Sequence, residues 1–271
     1  MKRVIVYNGK GVSNMSMRWL HGRLKRFLVS VDVVSVDAEA IISGEALAKD
    51  TVAIVFPGGH SRFFQQHLGS AGNERIREFV RNGGRYFGIC GGAYYAASEI
   101  EFTGKELEFP KRSGNLALFQ GEAIGSLPEL TRGLYFTDEY DTANVVRIGY
   151  LLNTSKNTDV NSREVKSYYH GGPKFLPNGI QPFEILGKYA DCLEDIAAVK
   201  VPYGLGCAVL VGIHPELYSG FFLKDQISKF LNQQNFELLE HLQRMFEQLS
   251  NIKNQEKGRN YFRFLLNKLF E

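Results

Sequence analysis

Across its first hundred residues the chain alternates between short apolar runs and segments with helical spacing. Residues 4–7 form an apolar run that stops at Asn8-Gly9, and residues 31–36 are rich in β-branched side chains. Residues 52–56 end at Pro57-Gly58-Gly59, and residues 86–89 run into Cys90. Such runs, bounded by turn residues, read as buried strands. Between them, residues 15–29 carry Trp19, Leu20, Leu24, Phe27 and Leu28 at helical spacing. Residues 74–82 carry Ile76, Phe79 and Val80 on one face and stop at Gly83-Gly84, and residues 91–98 are small enough for a third helix. Strand and helix in alternation imply right-handed βαβ units and a mostly parallel sheet flanked by helices. Ligands in such α/β sheets sit beyond the carboxyl ends of the strands. Pro57-Gly58-Gly59 and Cys90 both fall there.

The middle, residues 102–202, reads as strands and long loops, with residues 145–152 one of the clearer apolar runs. Residues 208–213 form a late strand. After Gly220 the pattern becomes amphipathic and helical over residues 221–231, 236–249 and 261–270, with the polar stretch 251–260 between the last two. The expected organisation is a domain over residues 1–220 and a C-terminal helical extension, 221–271, packed on it.

Charge excludes some partners. The 32 Lys and Arg against 29 Asp and Glu give a net charge of +3, and no basic-aromatic stripe stands out, so neither nucleic acid nor a membrane surface is expected. The three cysteines, Cys90, Cys192 and Cys207, form no CxxC pair and suggest neither disulfide framework nor zinc site. His21, His60, His67 and His241 lack metal-ligand spacing and read as surface or capping residues, so no metal or cofactor is expected. The first apolar run is too short for a signal peptide, and no run reaches the roughly 20 apolar residues of a membrane span. A cytoplasmic location follows as the expectation.

The strongest local signal is Gly88-Ile89-Cys90-Gly91-Gly92, where a strand runs through a nucleophile elbow into a helix. Side chains two positions either side of the nucleophile would collide, and Gly88 and Gly92 remove them. A helix N-terminus after Cys90 favours thiolate, and the Gly91 amide is placed for a developing oxyanion. The competing reading is a buried thiol beside a glycine-rich turn. The second signal is Gly212-Ile213-His214-Pro215-Glu216 at the end of the late strand. Residues two apart on a strand share a face, so Glu216 can hold one nitrogen of His214 while the other meets a thiol. Here the competing reading is an inert, hydrogen-bonded histidine.

Together these two signals, with Pro57-Gly58-Gly59, resemble the class I glutamine amidotransferase superfamily, whose fold is flavodoxin-like. More specifically, Val55-Phe56-Pro57-Gly58-Gly59, Cys90 with its glycines and Ala93-Tyr94-Tyr95, Leu116-Ala117-Leu118-Phe119-Gln120-Gly121, Tyr168-Tyr169-His170-Gly171-Gly172-Pro173 and His214-Pro215-Glu216 appear in order. They resemble the amidotransferase-like N-terminal domain of biotin–protein ligases, which also occurs as a stand-alone bacterial protein, over roughly residues 1–220. The resemblance implies a triad of Cys90, His214 and Glu216, and an oxyanion hole of Gly91 with Gly58 or Gly59. Tyr94, Tyr169 and His170 would line the substrate site, with Tyr168 beside them.

Two departures shape the expected function. Glutamine-hydrolysing members carry Gln four residues after the nucleophile, where this chain has Tyr94. A phenol cannot replace a primary amide's paired donor and acceptor, which puts glutamine in question as substrate. No Gly-Arg-Gly-Arg-type loop for biotinyl-adenylate is present, and Lys257-Gly258-Arg259 is too little, so biotin attachment is not expected. The implied activity is hydrolysis or transfer at an amide or related acyl bond of a small molecule. The alternative is a catalytically silent regulatory module that binds a ligand or partner, with the C-terminal helices as a protein-docking surface.

Overall fold

The computed structural model describes residues 1–105, 108–113, 116–152, 161–231 and 235–271. Its elements follow in chain order: β1 (Arg3–Tyr7), α1 (Asn14–Phe27), β2 (Asp32–Val36), α2 (Ala38–Ile42), β3 (Thr51–Phe56), α3 (Ser61–Arg81), β4 (Arg85–Ile89) and α4 (Gly91–Ala96). Then come β5 (Ala97–Thr103), β6 (Glu108–Ser113), β7 (Phe119–Gly125), β8 (Asn144–Leu152), β9 (Asn161–Tyr169), β10 (Lys174–Pro177), β11 (Glu184–Tyr189), β12 (Ile196–Tyr203) and β13 (Gly206–Val211). The chain closes with α5 (Lys224–Phe230), α6 (Phe236–Ser250) and α7 (Ile252–Phe270).

Among the described residues, one nine-stranded sheet runs in the order β2-β1-β3-β4-β13-β12-β11-β8-β9. Its first five strands are mutually parallel and form the βαβ sheet that the sequence implies. The remaining pairings are antiparallel and come from the middle of the chain. The same middle region also builds a separate four-stranded sheet, β10-β7-β5-β6.

Alternation along each strand sets the layers. On β1, Val4 and Val6 face a core shared with Leu20 and Leu24 of α1, while Ile5 and Tyr7 face a second core with Phe64, Leu68 and Ile76 of α3. The small sheet packs into that second core through Leu118, Phe119, Ala123 and Phe175. The central strands β1, β3, β4 and β13 are therefore buried on both faces, which explains their nearly unbroken apolar runs.

Helix extents differ from the sequence reading in three places. α3 begins at Ser61, well before residue 74, and Gly69 at φ 58° breaks its helical geometry midway. α4 stops at Ala96 because Ala97 already pairs with Phe119 across the small sheet. The polar stretch 251–260 is the first half of α7, not a linker. Its polar side chains hide the helical period, and Asn251 caps it by accepting from the Lys253 amide at 3.0 Å. Beyond it, Tyr261, Phe262, Leu265, Leu266 and Leu269 enter the same core as β4 and β13. No helix among the described residues is long and apolar enough to cross a membrane.

Candidate active site

The elbow is built as its glycines require. Cys90 sits at φ 48° and ψ −103°, and its amide donates to Val211 O on the adjacent strand at 2.9 Å. A side chain at Gly92 would run into the Phe56 carbonyl, its Cβ 2.3 Å away, so β3 and the elbow pack backbone to backbone. A non-glycine residue in this conformation is strained, and such strain gathers at functional sites.

Beyond the end of β13, His214 is pinned where its amide donates to Tyr168 O at 2.9 Å, at the end of β9. Its Nδ1 lies 2.9 Å from Glu216 Oε1, and Glu216 is fully buried. The residues between them form a single tight turn, Pro215–Leu217. Burial opposes charge on His214. The Glu216 carboxylate overcomes it, helped by hydrogen bonding and charge from the Cys90 side chain, and the imidazole is pushed up to about 10. With Nδ1 held by Glu216, Nε2 is the nitrogen left for the thiol.

Ser16, in the first turn of α1, completes this relay. Its hydroxyl donates to Glu216 Oε1 at 2.7 Å and accepts the Gly58 amide at 3.0 Å. Gly58 is thereby removed from the expected oxyanion hole, because its N–H is already engaged. The imidazole lies against its Cα, where a side chain would be only 2.4 Å from Cε1. The Gly59 and Gly91 amides make no hydrogen bond among the described residues. Their backbones touch, and a Cβ on Gly91 would fall 2.0 Å from Gly59 O. Of the three glycines expected at the oxyanion hole, Gly59 and Gly91 are the two whose amides are unengaged among the described residues.

A cleft of about 400 Å³ opens on Cys90 and His214, a size suited to a small molecule. Phe102, Phe136, Tyr140, Tyr168 and His170 form aromatic walls, and Arg62, Arg112 and His60 also line it. Tyr94 lies in the wall, its hydroxyl donating to Gly171 O at 3.0 Å, so it ties the elbow helix to the glycine pair. His170 lies in the wall as well. Its carbonyl faces the Cys90 thiol at 3.7 Å, and its Nε2 meets Thr137 O at 3.0 Å and Thr142 Oγ1 at 3.1 Å. Burial and the neighbouring His214 push this second imidazole down to about 4. The two imidazoles of the cleft are therefore shifted in opposite directions.

Tyr169 is not part of the cleft. Next to Tyr168 on the same strand, it faces the opposite side, where its hydroxyl donates to Gly172 O at 3.0 Å and accepts the Leu127 amide at 2.9 Å. Tyr168 takes the cleft position. His60, read as a surface or capping residue, lines the cleft with Nε2 3.2 Å from Asp138, and His241 is buried against Ala143 O at 2.8 Å. Among the described residues, no cluster of three or more His, Cys, Asp or Glu could hold a metal ion.

The fold is similar to that of a solved glutamine amidotransferase. Superposition on a glutamine amidotransferase from Thermotoga maritima covers 100% of this chain and 98% of that one, at a TM-score of 0.56 and 12% identity, a likeness of fold. The chain belongs to the biotin-protein ligase, N terminal family, which matches residues 2–270. It is 26% identical over 220 residues to a biotin–protein ligase of Schizosaccharomyces pombe, covering 79% of this chain and 33% of the relative. It is 32% identical over 129 residues to an uncharacterized protein of Chlamydia muridarum, covering 46% of this chain and 49% of the relative. The chain thus spans a third to a half of the length of these curated relatives.

Proposed function

We propose that this chain is a cysteine-nucleophile hydrolase or amidotransferase-like enzyme acting on an amide or related acyl bond of a small molecule. The observation that carries the reading is the relay at the strand ends: Ser16, Glu216 and a charged His214 beside Cys90. In the first step Cys90 Sγ attacks the acyl carbon and a C–S bond forms. The oxyanion sits between the Gly59 and Gly91 amides. The tetrahedral adduct collapses, the C–N bond breaks, and the His214 proton passes to the leaving amine. Water, or an accepting amine, then attacks the thioester. His214 takes its proton and keeps it while the C–S bond breaks and the thiolate departs, which restores the charged His214 beside Cys90.

The elevated pKa of His214 suits this sequence, since the imidazolium is loaded with the leaving group's proton at neutral pH. His170 is held neutral and does not compete for that role. Cys192 and Cys207 serve as internal references. Burial, with Asp195 beside it, pushes Cys192 up to about 11, and burial raises Cys207. Treatment with iodoacetamide at pH 7, read by peptide mass spectrometry, should modify Cys90 first, by at least about tenfold in rate. A Cys90 no more reactive than Cys207 overturns the reading.

A further inference from the structure

We infer that the substrate of this cleft carries an uncharged hydrogen-bond acceptor besides its scissile carbonyl, and that the Tyr168 hydroxyl donates to it. The inference rests on the enzymatic reading above and adds to it a substrate class and a specificity-determining residue. Tyr168 stands one residue before the end of β9, where its carbonyl accepts the His214 amide at 2.9 Å. Its ring packs against two others, 5.7 Å from that of His214 and 5.0 Å from that of Phe222. A ring held by close packing in this way does not swing off to find a partner elsewhere.

The hydroxyl sets this residue apart. Tyr168 lines the cleft and is fully buried, yet among the described residues its hydroxyl has no hydrogen-bond partner. Three nearby tyrosines are partnered: Tyr94 with Gly171 O at 3.0 Å, Tyr169 with Gly172 O at 3.0 Å and Tyr189 with Pro173 O at 2.9 Å. A buried hydroxyl without a partner is destabilising unless a ligand supplies one. Met15 and Tyr140, both half-buried, pack on the same apolar cluster as Tyr168 and also line the cleft. The Met15 side chain is unbranched and adaptable, so a ligand group can displace it to reach the hydroxyl.

The surroundings select a neutral acceptor. Burial, with Tyr140, Cys90 and Glu216 nearby, pushes the phenol well above its ordinary value, so at neutral pH it keeps its proton and donates. In the proposed resting state the Cys90 thiolate and the Glu216 carboxylate bring two negative charges against the one positive charge of His214. An anion seated at Tyr168 would be repelled by that balance in a poorly screened interior, whereas a carbonyl or amide oxygen would not. Tyr168 stands beside the imidazole that serves the leaving amine, so the second acceptor belongs to the leaving side of the scissile bond. The aromatic walls, Phe136, Tyr140 and His170 among them, hold the apolar body of the molecule.

Alkylation chemistry separates this inference from the enzymatic reading. Iodoacetylglycinamide and N-isobutyl iodoacetamide share a leaving group and a shape. They differ in whether the tail ends in a primary amide or in an isopropyl group. The ratio of their rates at Cys90, amide over isobutyl, should fall about tenfold in Tyr168→Phe, the worth of one hydrogen bond. Any general change in thiol reactivity cancels in that ratio. The ratio should hold in Tyr7→Phe, which removes another buried, unpartnered hydroxyl from the core outside the cleft lining. An equal ratio in the native chain and Tyr168→Phe, or an equal fall in Tyr7→Phe, overturns the proposal. In native protein labelled with tyrosine carrying ¹³C at Cζ, the Tyr168 resonance should move on alkylation by the amide reagent and not by the isobutyl one; equal shifts overturn it too. Should Cys90 resist both reagents, the enzymatic reading fails, and recognition is decided by calorimetric titration of Cys90→Ala protein with benzoylglycinamide, a neutral diamide with an aromatic body. It should bind, about tenfold more weakly in Cys90→Ala/Tyr168→Phe. Absence of binding, or binding indifferent to Tyr168→Phe, overturns the proposal.

Discussion

The parallel half of the large sheet and the small antiparallel-edged sheet contribute to one cleft in different ways. The parallel half places the groups proposed to react at strand ends: Gly59 after β3, Cys90 after β4 and His214 after β13. Their geometry is fixed by backbone contacts at the buried centre of the sheet, as where the Cys90 amide meets Val211 O. The small sheet and the loops around it supply walls, Phe102, Arg112 and Phe136 among them. In the proposed reading, one region sets what bond can be attacked, and the other sets which molecule presents it. The two regions are joined where α4, which starts at the elbow, feeds directly into the small sheet at Ala97.

The sharpest way to break this division is to remove a group from the reactive half. His214→Ala should slow iodoacetamide alkylation of Cys90 at pH 7 by about 10²–10⁴-fold, the usual worth of a positioned acid–base group. Phe102→Ala in the wall should change that rate by less than tenfold. Comparable losses in both variants would show that the walls also organise the nucleophile. Next in size is Glu216→Gln. It removes the charge that holds His214 up, so the imidazole titration followed by NMR should move down from about 10 to below its ordinary value of 6.5, where burial drives it. Breaking this buried pair should also cost about 3–5 kcal/mol in urea unfolding. Because the folded pKa is raised, His214 adds stability that is complete below about 6.5 and is lost as pH rises through about 10. That slope should disappear in Glu216→Gln. Ser16→Ala should cost less, about 1–3 kcal/mol, as it strands the Gly58 amide and one bond to Glu216. A neutral outcome there would mean the relay does not depend on α1.

How much of this was legible in the sequence follows the same division. The elbow, the Pro-Gly-Gly turn and His214-Pro215-Glu216 are contiguous strings whose residue types carry their own geometry, so the reactive half could be read directly. Ser16 could not, since its partner lies 200 residues away and a serine in a first helical turn has no distinguishing pattern. Arg112 was equally silent, for its place depends on a strand register that sends Lys111 outward and Arg112 inward. Tyr168 and Tyr169 were both seen near the site. Period-2 alternation guaranteed that only one would face it, and the phase became visible only with β9 in place. The family resemblance left Gly58 and Gly59 as alternatives for the oxyanion hole, and only the packing of α1 shows the Gly58 amide already taken.

The smallest expected effect tests the boundary between the halves. Tyr168 stands on it, bridged to His214 through the backbone and to the wall through its ring, 6.3 Å from that of His170. Among the described residues its hydroxyl has no hydrogen-bond partner, so Tyr168→Phe removes a buried polar group without breaking a bond. Urea unfolding should then show stability unchanged or raised by up to about 1 kcal/mol, whereas a partnered buried hydroxyl would cost about 1–3 kcal/mol on removal. A gain or no change places the hydroxyl with the walls, as a group kept for a ligand at some expense to the empty fold. A loss above about 1 kcal/mol would place it with the reactive half instead, as part of the scaffold that fixes His214, and the line between the two regions would have to be redrawn through β9.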